Sequence, residues 1–381
     1  CRRVRSTTFQ RLRRETGGLP VGRLQTLVRW VIPNDPAIEA PGWRQLAKAL
    51  ERRWDTETDP EARQQVAAAL IQVLSSRLTP EEHLRFLRRQ LAERPKRYRA
   101  SHANELFNTL LSQPWSQALE DEALALLTEL NDASDPILRL LSQVAALYRL
   151  TDRMVQARYQ VAMDRVAHPE QLTRSELREQ QRAATAAARE GLIQRLEIAE
   201  RQADEAFAPW LHLERQTLQV LAGQQLPRVA EDCWEAMGPE PATLDPETNA
   251  WQALLDAVRE HRCLVTLSNL VVRRTADPAD ADRLLDWLDR GIAGTDDPQE
   301  ADIWRWHTFQ LLVALDRPEI LERQLVAWIA VSGADPFWHR AMAYLRAEQG
   351  QIAAAIRLLE PLEKGGELEP ADYRALASWY L

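Results

Sequence analysis

The C-terminal part of the chain contains two similar segments 34 residues apart, and this period limits the fold more than any other feature. The first segment follows Asp335-Pro336 and reads FWHRAMAY; the second follows Glu369-Pro370 and reads ADYRALAS. A repeat of this length is typical of arrays of helical hairpins, in which each unit stacks on the next. We therefore expect a stacked scaffold rather than a fold built around a catalytic pocket.

The composition favours helices along the whole chain. Ala, Leu, Arg, Glu and Gln dominate, and only 13 glycines are spread over the 381 residues. These dominant residues lose little rotamer freedom in a helix. Alternating stretches rich in Val, Ile and Thr, which would indicate strands, are nearly absent. The sequence therefore predicts an all-α fold.

Proline preceded by an acidic or polar residue marks the predicted helix starts. Proline fits the first turn of a helix, and the side chain before it can accept hydrogen bonds from free N–H groups. Between these marks the apolar period predicts about nineteen helices, joined in pairs by turns such as 151–152, 317–318 and 350–351. This pattern predicts an α-solenoid of about nine helical hairpins. The marks are Asp59-Pro60, Thr79-Pro80, Asp135-Pro136, Asp245-Pro246, Asp277-Pro278, Asp297-Pro298, Asp335-Pro336 and Glu369-Pro370.

One segment, residues 175–206, departs from this rhythm because it has no proline and a single glycine, Gly191. A narrow apolar stripe suits a helix that packs on one neighbour and otherwise faces water. We predict one long central helix, with a coiled-coil arm as the alternative. The stripe consists of Leu177, Ala184, Ala188, Leu192, Leu196, Ala199 and Ala203.

Proline-rich breaks at residues 32–41 and 238–245 help to divide the chain. We predict an N-terminal basic segment with the first helix (1–40), an N-terminal helical array (41–170), the long connecting helix (171–207) and a C-terminal array (208–381). The chain begins at Cys1 and stops inside an apolar helical stretch. We therefore expect a fragment of a larger protein, with the C-terminal array truncated at its end.

The repeat resembles the tetratricopeptide family, whose hairpins carry large and small residues at fixed offsets and a closing proline. Residues 141–169 match best, and the C-terminal unit and final half-repeat follow the same offsets. Arg346, Asp164, Leu362 and Glu367 depart from the family pattern, and HEAT-like or irregular hairpins remain open for the rest of the chain. The matching residues are Leu141, Val144, Ala145, Tyr148, Ala157, Val161, Pro169, His339, Met342, Ala343, Ala355, Leu359, Tyr373, Leu376, Ala377 and Tyr380.

The resemblance implies a right-handed superhelix whose first helices line a concave groove for a peptide or a partner's helix. Arginines beside aromatic residues in such a groove suit an acidic peptide, and we expect the double substitution Arg340→Glu, Tyr344→Ala to abolish capture without changing the melting temperature. The implied groove residues are Arg139, Ser142 and Arg149 in the first good repeat, Phe337, Arg340, Tyr344 and Glu348 in the C-terminal repeat, and Arg374 in the last.

Motifs for catalysis or metal binding are not found, so we expect no cofactor and no metal. The sequence lacks glycine-rich phosphate loops, a nucleophile elbow and zinc spacings. The residues nearest to a metal-binding pair are His261 and Cys263, with Cys233 upstream. We interpret them as a surface histidine beside core cysteines. A run of aspartates, residues 277–289, crosses a helix start, where it complements the helix dipole rather than binding calcium.

The charge distribution argues against nucleic acid as the partner of this chain. Residues 1–100 hold 21 basic and 11 acidic residues, a net +10, whereas the other residues hold 27 and 45, a net −18. The basic cluster at residues 85–99 would spread over more than one helix face. No apolar run approaches the length of a membrane-spanning helix. The sequence does not identify the cellular compartment. Among the possible compartments we favour the cytoplasm.

The chain contains 13 tryptophans, and six of them recur through the C-terminal array at helical positions. We interpret them as core between repeats, with an aromatic groove for a peptide or sugar chain as the alternative. Our hypothesis is a non-catalytic scaffold that binds a protein or peptide within a larger protein. A passive spacer in a very large bacterial protein and an α/α-toroid enzyme acting on carbohydrate are the alternatives. The six are Trp251, Trp287, Trp304, Trp328, Trp338 and Trp379.

Overall fold

A computed structural model describes residues 16, 20–34, 40–93, 99–130, 135–166, 168–226, 228–239, 241, 250–331 and 335–381. Within these residues the chain forms seventeen α-helices and one short 3-10 helix, and contains no strand. Successive helices pack against each other in neighbouring pairs. The all-α prediction is therefore confirmed.

The chain divides into two compact units, residues 1–212 and residues 213–381. The four segments predicted from the sequence stay a prediction. Unit 1 contains α1 (Val21–Asn34), α2 (Ala40–Thr56), α3 (Pro60–Arg77), α4 (Pro80–Glu93), α5 (Arg99–Leu111), α6 (Gln117–Glu129), α7 (Pro136–Asp164), a 3-10 helix (Pro169–Gln171) and α8 (Arg174–Gln202). The division falls within α9 (Ala208–Ala222). Unit 2 contains α10 (Val229–Met237), α11 (Ala250–Val272), α12 (Pro278–Gly294), α13 (Pro298–Ala314), α14 (Pro318–Ile329), α15 (Pro336–Glu348), α16 (Ile352–Gly365) and α17 (Pro370–Tyr380).

The helix starts marked by proline are confirmed wherever the structure describes them. Seven helices (α3, α4, α7, α12, α13, α15 and α17) begin at the predicted proline. At five of them an aspartate accepts a hydrogen bond from an N–H group of the first turn, which satisfies a donor that the helix leaves free. The predicted start at Asp245-Pro246 lies outside the described residues. The capping aspartates are Asp59, Asp135, Asp277, Asp297 and Asp335.

The turn predicted at residues 151–152 is wrong, because α7 runs without a break for 29 residues. Thr151 is buried, and its hydroxyl donates a 3.1 Å hydrogen bond to the carbonyl of Tyr148 within the helix. Neither Thr151 nor Asp152 prevents a helix from continuing, as proline would. The stretch that best matches a tetratricopeptide hairpin is therefore mostly one helix. The turns at 317–318 and 350–351 do separate helices.

The long helix predicted near the middle of the chain is confirmed as α8, which also has 29 residues. It begins with a capping box, in which Thr173 and Glu176 exchange hydrogen bonds between side chain and backbone. It packs along α7, so its narrow apolar stripe has one principal neighbour within unit 1. The buried residues of α8 are Ala184, Ala188, Leu192, Ile193 and Leu196.

The predicted role of tryptophan in packing is confirmed for part of the set. Trp287, Trp328 and Trp338 are buried in the main hydrophobic cluster of unit 2, and Trp304 packs against that cluster. Trp251 differs, since 44% of its surface is exposed. Buried aromatic rings contribute large apolar areas to a core. These tryptophans therefore stabilise unit 2 rather than line a ligand platform.

In unit 2, helices that are two apart along the chain also contact each other. The rings of His261 in α11 and His307 in α13 lie 5.5 Å apart between centroids. Trp306 in α13 and Phe337 in α15 are 5.0 Å apart, and Tyr344 in α15 contacts a ring of α17. These contacts bring α11, α13, α15 and α17 next to one another in that order.

Candidate functional site

The groove residues predicted in unit 1 lie together on α7 rather than on a hairpin. Ser142 is exposed, and its hydroxyl donates to the carbonyl of Leu138 one turn earlier. Arg149 donates a 2.8 Å hydrogen bond to the side chain of Asn108, and its guanidinium lies over the ring of Phe107. Arg139 is half-buried. The guanidinium of Arg149 is thus already bound within the chain.

Two groove residues predicted in unit 2, Arg340 and Tyr344, contact the start of α17. The Arg340 guanidinium forms a 3.0 Å ion pair with Glu369, and the Tyr344 hydroxyl donates a 2.7 Å hydrogen bond to Asp372. Burial and the bond to the Asp372 carboxylate raise the pKa of Tyr344 to about 12. These two side chains therefore hold α17 in place. Glu348 and Arg374 are exposed.

A different surface is open on α13, where large apolar side chains face solvent. Ile303 is 58% exposed, Trp306 is 42% exposed and Val313 is 54% exposed. At about 100° per residue, positions 303, 306, 310 and 313 fall on one side of a helix. The fourth position is Gln310, so none of the four side chains is charged. We call Ile303, Trp306, Gln310 and Val313 the α13 face.

Sequence reasoning missed the α13 face, although a signal for it exists. Apolar residues of α13 occur on both sides of the helix, since Leu311 and Leu312 are buried while Ile303 and Val313 are exposed. A helix with a single buried side carries polar residues on the opposite side. In α13, apolar side chains at three positions replace most of the polar residues expected on the exposed side.

The Trp306 ring is held in position by other aromatic rings. It stacks on Phe309 at 5.8 Å and meets the edge of Phe337 at 5.0 Å. Phe337 contacts Trp338, which in turn contacts Trp328 at 4.8 Å in the core of unit 2. Such edge-to-face pairs add stability beyond the area they bury. Trp306 is thus exposed on one side and supported on the other.

Two histidines lie beside the α13 face. Burial lowers the pKa of both His261 and His307; Arg262 adds to this effect at His261, and His261 adds to it at His307. With pKa values below the ordinary value near 6.5, both imidazoles are neutral at pH 7. They therefore add no charge next to Trp306.

The candidate metal and calcium residues have other roles. Cys233 and Cys263 are buried free thiols that contact each other, while the His261 ring lies beside His307. Asp277 caps α12, and Asp280 accepts a 2.9 Å hydrogen bond from the indole of Trp234. Across the described part of the chain, no group of three or more His, Cys, Asp or Glu side chains is placed to hold a metal ion.

Two arginines of the basic cluster, Arg88 and Arg89, are engaged in ion pairs. Arg88 forms two 2.7 Å hydrogen bonds with Glu122, and Arg89 contacts Glu51, Asp55 and Glu93. Paired guanidinium groups of this kind are less available for phosphate. Residues 94, 96 and 97, which belong to the same cluster, lie outside the described residues.

A buried ion cluster joins three helices of unit 1. The Glu120 carboxylate, 2% exposed, accepts two 2.6 Å hydrogen bonds from Arg158 and forms a 2.6 Å ion pair with Arg195. The indole of Trp115 donates to it as well. Arg158 reaches it past Gly191 of α8, where an added Cβ would stand 3.3 Å from its Nε. Because the carboxylate is saturated with donors, it serves as a structural centre rather than a general acid.

Comparisons of the chain with protein-family models, with curated proteins and with solved structures find no match. Among the described helices, none combines the length and apolar character needed to cross a lipid bilayer.

Proposed function

We propose that this chain is a tetratricopeptide-like helical scaffold that binds a protein partner through the α13 face. In this proposal the hairpins of unit 2 form a solenoid, with α11, α13, α15 and α17 in one layer. The contacts between helices two apart support that arrangement. Solenoids use such layers as extended binding surfaces.

The observation that carries the proposal is the exposure of Ile303, Trp306 and Val313 on one side of α13 with no charge among them. Exposed apolar patches on proteins mark interaction sites. Tryptophan is one of the residue types enriched at the energetic centre of protein interfaces. The matching partner is an apolar or amphipathic peptide segment or helix. An acidic residue on it would suit the α17 end, where Arg374 is exposed.

Site-specific photocrosslinking tests this function. Benzoylphenylalanine is introduced at Gln310, the centre of the α13 face, and as a control at Val326 of α14, which is exposed to 54%. We expect irradiation in cells to attach one discrete protein at position 310 and none at position 326, with the attached peptide carrying an apolar segment. Equal labelling at both positions, or no adduct at 310, would refute the α13 face as a docking surface.

A spacer array is the second candidate, and the internal bonding of the predicted groove supports it. Arg340 and Tyr344 are bound to α17, and Trp287, Trp328 and Trp338 are buried in the core. A spacer needs stacking but no partner. In that case position 310 captures nothing, and replacing the exposed residues of α13 leaves cell function unchanged.

A further inference from the structure

A groove of about 680 Å³ lies in unit 1, between α6 and the C-terminal half of α8. Its lining is mainly apolar. The floor is formed by buried side chains of α6 and of the segment after α8, whereas the α8 wall includes an isoleucine that is 54% exposed. The principal apolar lining residues are Leu124, Leu127, Ile198, Ala199, Phe207 and Leu211.

The groove is open because short side chains line it at the end of α8. Ala199 lies in the last turn of α8, and Ala203 is the residue that follows the helix. Neither side chain can reach across to α6. The lining of α8 runs from Arg195 to Gln202, a rise of about 10 Å. This length matches two turns of a docked helix, enough for two or three large apolar side chains.

Charge at the groove favours a basic partner. Glu205 is exposed beside Asp204, whose carboxylate accepts the N–H of Phe207, and the basic residue of the last turn, Arg201, is paired with Glu197. The C-terminal end of α8 adds the negative end of its helix dipole there. The Asp121 carboxylate, on the α6 side, is also exposed. Asp121 is paired with the lining arginine, Arg195, which also binds Glu120, so these groups add no unpaired charge to the groove. A cation from a partner would therefore be attracted at the end near residues 204–205.

We propose that this groove is a second docking site, which receives an amphipathic helix of a partner protein. The helix carries large aliphatic or aromatic residues two turns apart on one side and Lys or Arg at the end next to residues 204–205. This site lies within unit 1 and does not depend on the α13 face.

Selection from a displayed library tests this proposal on the full chain. The probe is a library of 16-residue helical peptides with Leu, Ile or Phe on one side and with flanks randomised between Lys and Glu. We expect enrichment of peptides with a basic flank, and fluorescence anisotropy then gives their dissociation constants. Ala199→Trp, which fills the groove, should weaken binding at least about tenfold, equivalent to 1.4 kcal/mol.

Ile198→Lys is the second variant, because its exposed side chain can change without disturbing the core, and it should also weaken binding of the basic peptides. Val326→Lys, at a residue that is 54% exposed on α14 and belongs to neither proposed surface, is the matched control and should leave the dissociation constant unchanged. The proposal is overturned if no peptide is enriched, if acidic flanks are enriched instead, or if neither groove variant weakens binding. Loss of binding in Val326→Lys alone would place the peptides outside the groove and also overturn it.

Discussion

The Tyr344 hydroxyl of α15 donates a 2.7 Å hydrogen bond to the Asp372 carboxylate of α17, an acid that is only 4% exposed. The other Asp372 oxygen accepts the N–H of Glu369 at 2.8 Å, so one carboxylate both caps α17 and joins it to α15. Glu369 in turn pairs with Arg340. The residues predicted to bind an acidic peptide therefore bind an acidic segment of their own chain.

Replacing Tyr344 with Phe should destabilise the docking of α17. The substitution leaves a buried carboxylate without one donor, which costs about 1–2 kcal/mol. Hydrogen exchange should show faster exchange in α17 and little change in α12. If α17 exchanges at the same rate in Tyr344→Phe and in the unchanged protein, Tyr344 does not hold α17 in place. For the same reason we now expect Arg340→Glu with Tyr344→Ala to lower the melting temperature, which corrects the expectation from sequence that it would not change.

Gly291 should not tolerate a larger residue. An added Cβ would stand 2.9 Å from the Trp304 ring, so alanine forces α12 and α13 apart or moves the ring. We expect Gly291→Ala to destabilise unit 2 by about 1–3 kcal/mol. Gly294 is the matched control in the same helix, because no atom lies within 4 Å of its added Cβ. If both variants unfold at the same urea concentration, the close approach of Gly291 to the Trp304 ring does not contribute to stability.

Removal of the Glu120 carboxylate should be far more costly than removal of its neighbour. Glu120→Ala leaves Arg158 and Arg195 partly buried without their shared partner, and breaking such a pair costs about 3–5 kcal/mol. Asp121 also contacts Arg195, but its side chain is 62% exposed, so solvent screens the pair and Asp121→Ala should cost much less than Glu120→Ala. Chemical denaturation measures the free energy of unfolding of both variants. Similar losses for the two variants would contradict the assignment of Glu120 as the structural centre.

Unit 2 should lose stability in mild acid mainly through His307, with a smaller contribution from His261, whose side chain is more exposed to solvent. Burial lowers the pKa of both in the folded state, whereas in the unfolded chain it is near 6.5. As the pH falls below about 6.5, the unfolded chain takes up protons first, and the folded state is disfavoured. The urea midpoint should fall between pH 7 and pH 5, and less steeply in His307→Gln. An identical slope in the variant would contradict this account.

Local signals in the sequence predicted the helices better than their connections. An aspartate before proline acts through bonds within one turn, so every such mark in the described residues is a helix start. The turn at residues 151–152 had no comparable local cause. Thr151 is instead covered by packing against other helices, and packing decides whether a weakly marked site continues as a helix.

The candidate sites were harder to predict from the sequence than the helices, because most of them form only when helices pack together. The α13 face could have been recognised from apolar residues on both sides of α13. The Glu120 cluster could not, because Arg158 and Arg195 lie 38 and 75 positions along the chain and meet the carboxylate only when α6, α7 and α8 pack. Likewise, only contact with α17 shows that Arg340 and Tyr344 are engaged.

The central claim, docking of a protein partner on the α13 face, is tested most directly by a matched pair of substitutions. Val313 and Val326 are each 54% exposed, but only Val313 belongs to the α13 face. Calorimetry with the partner captured at position 310 measures the dissociation constant of each variant. Val313→Asp should raise this constant about 30-fold or more, because a substitution at the centre of an interface costs about 2 kcal/mol of binding free energy. Val326→Asp should change it less than about twofold. Equal dissociation constants for the two variants would contradict the claim.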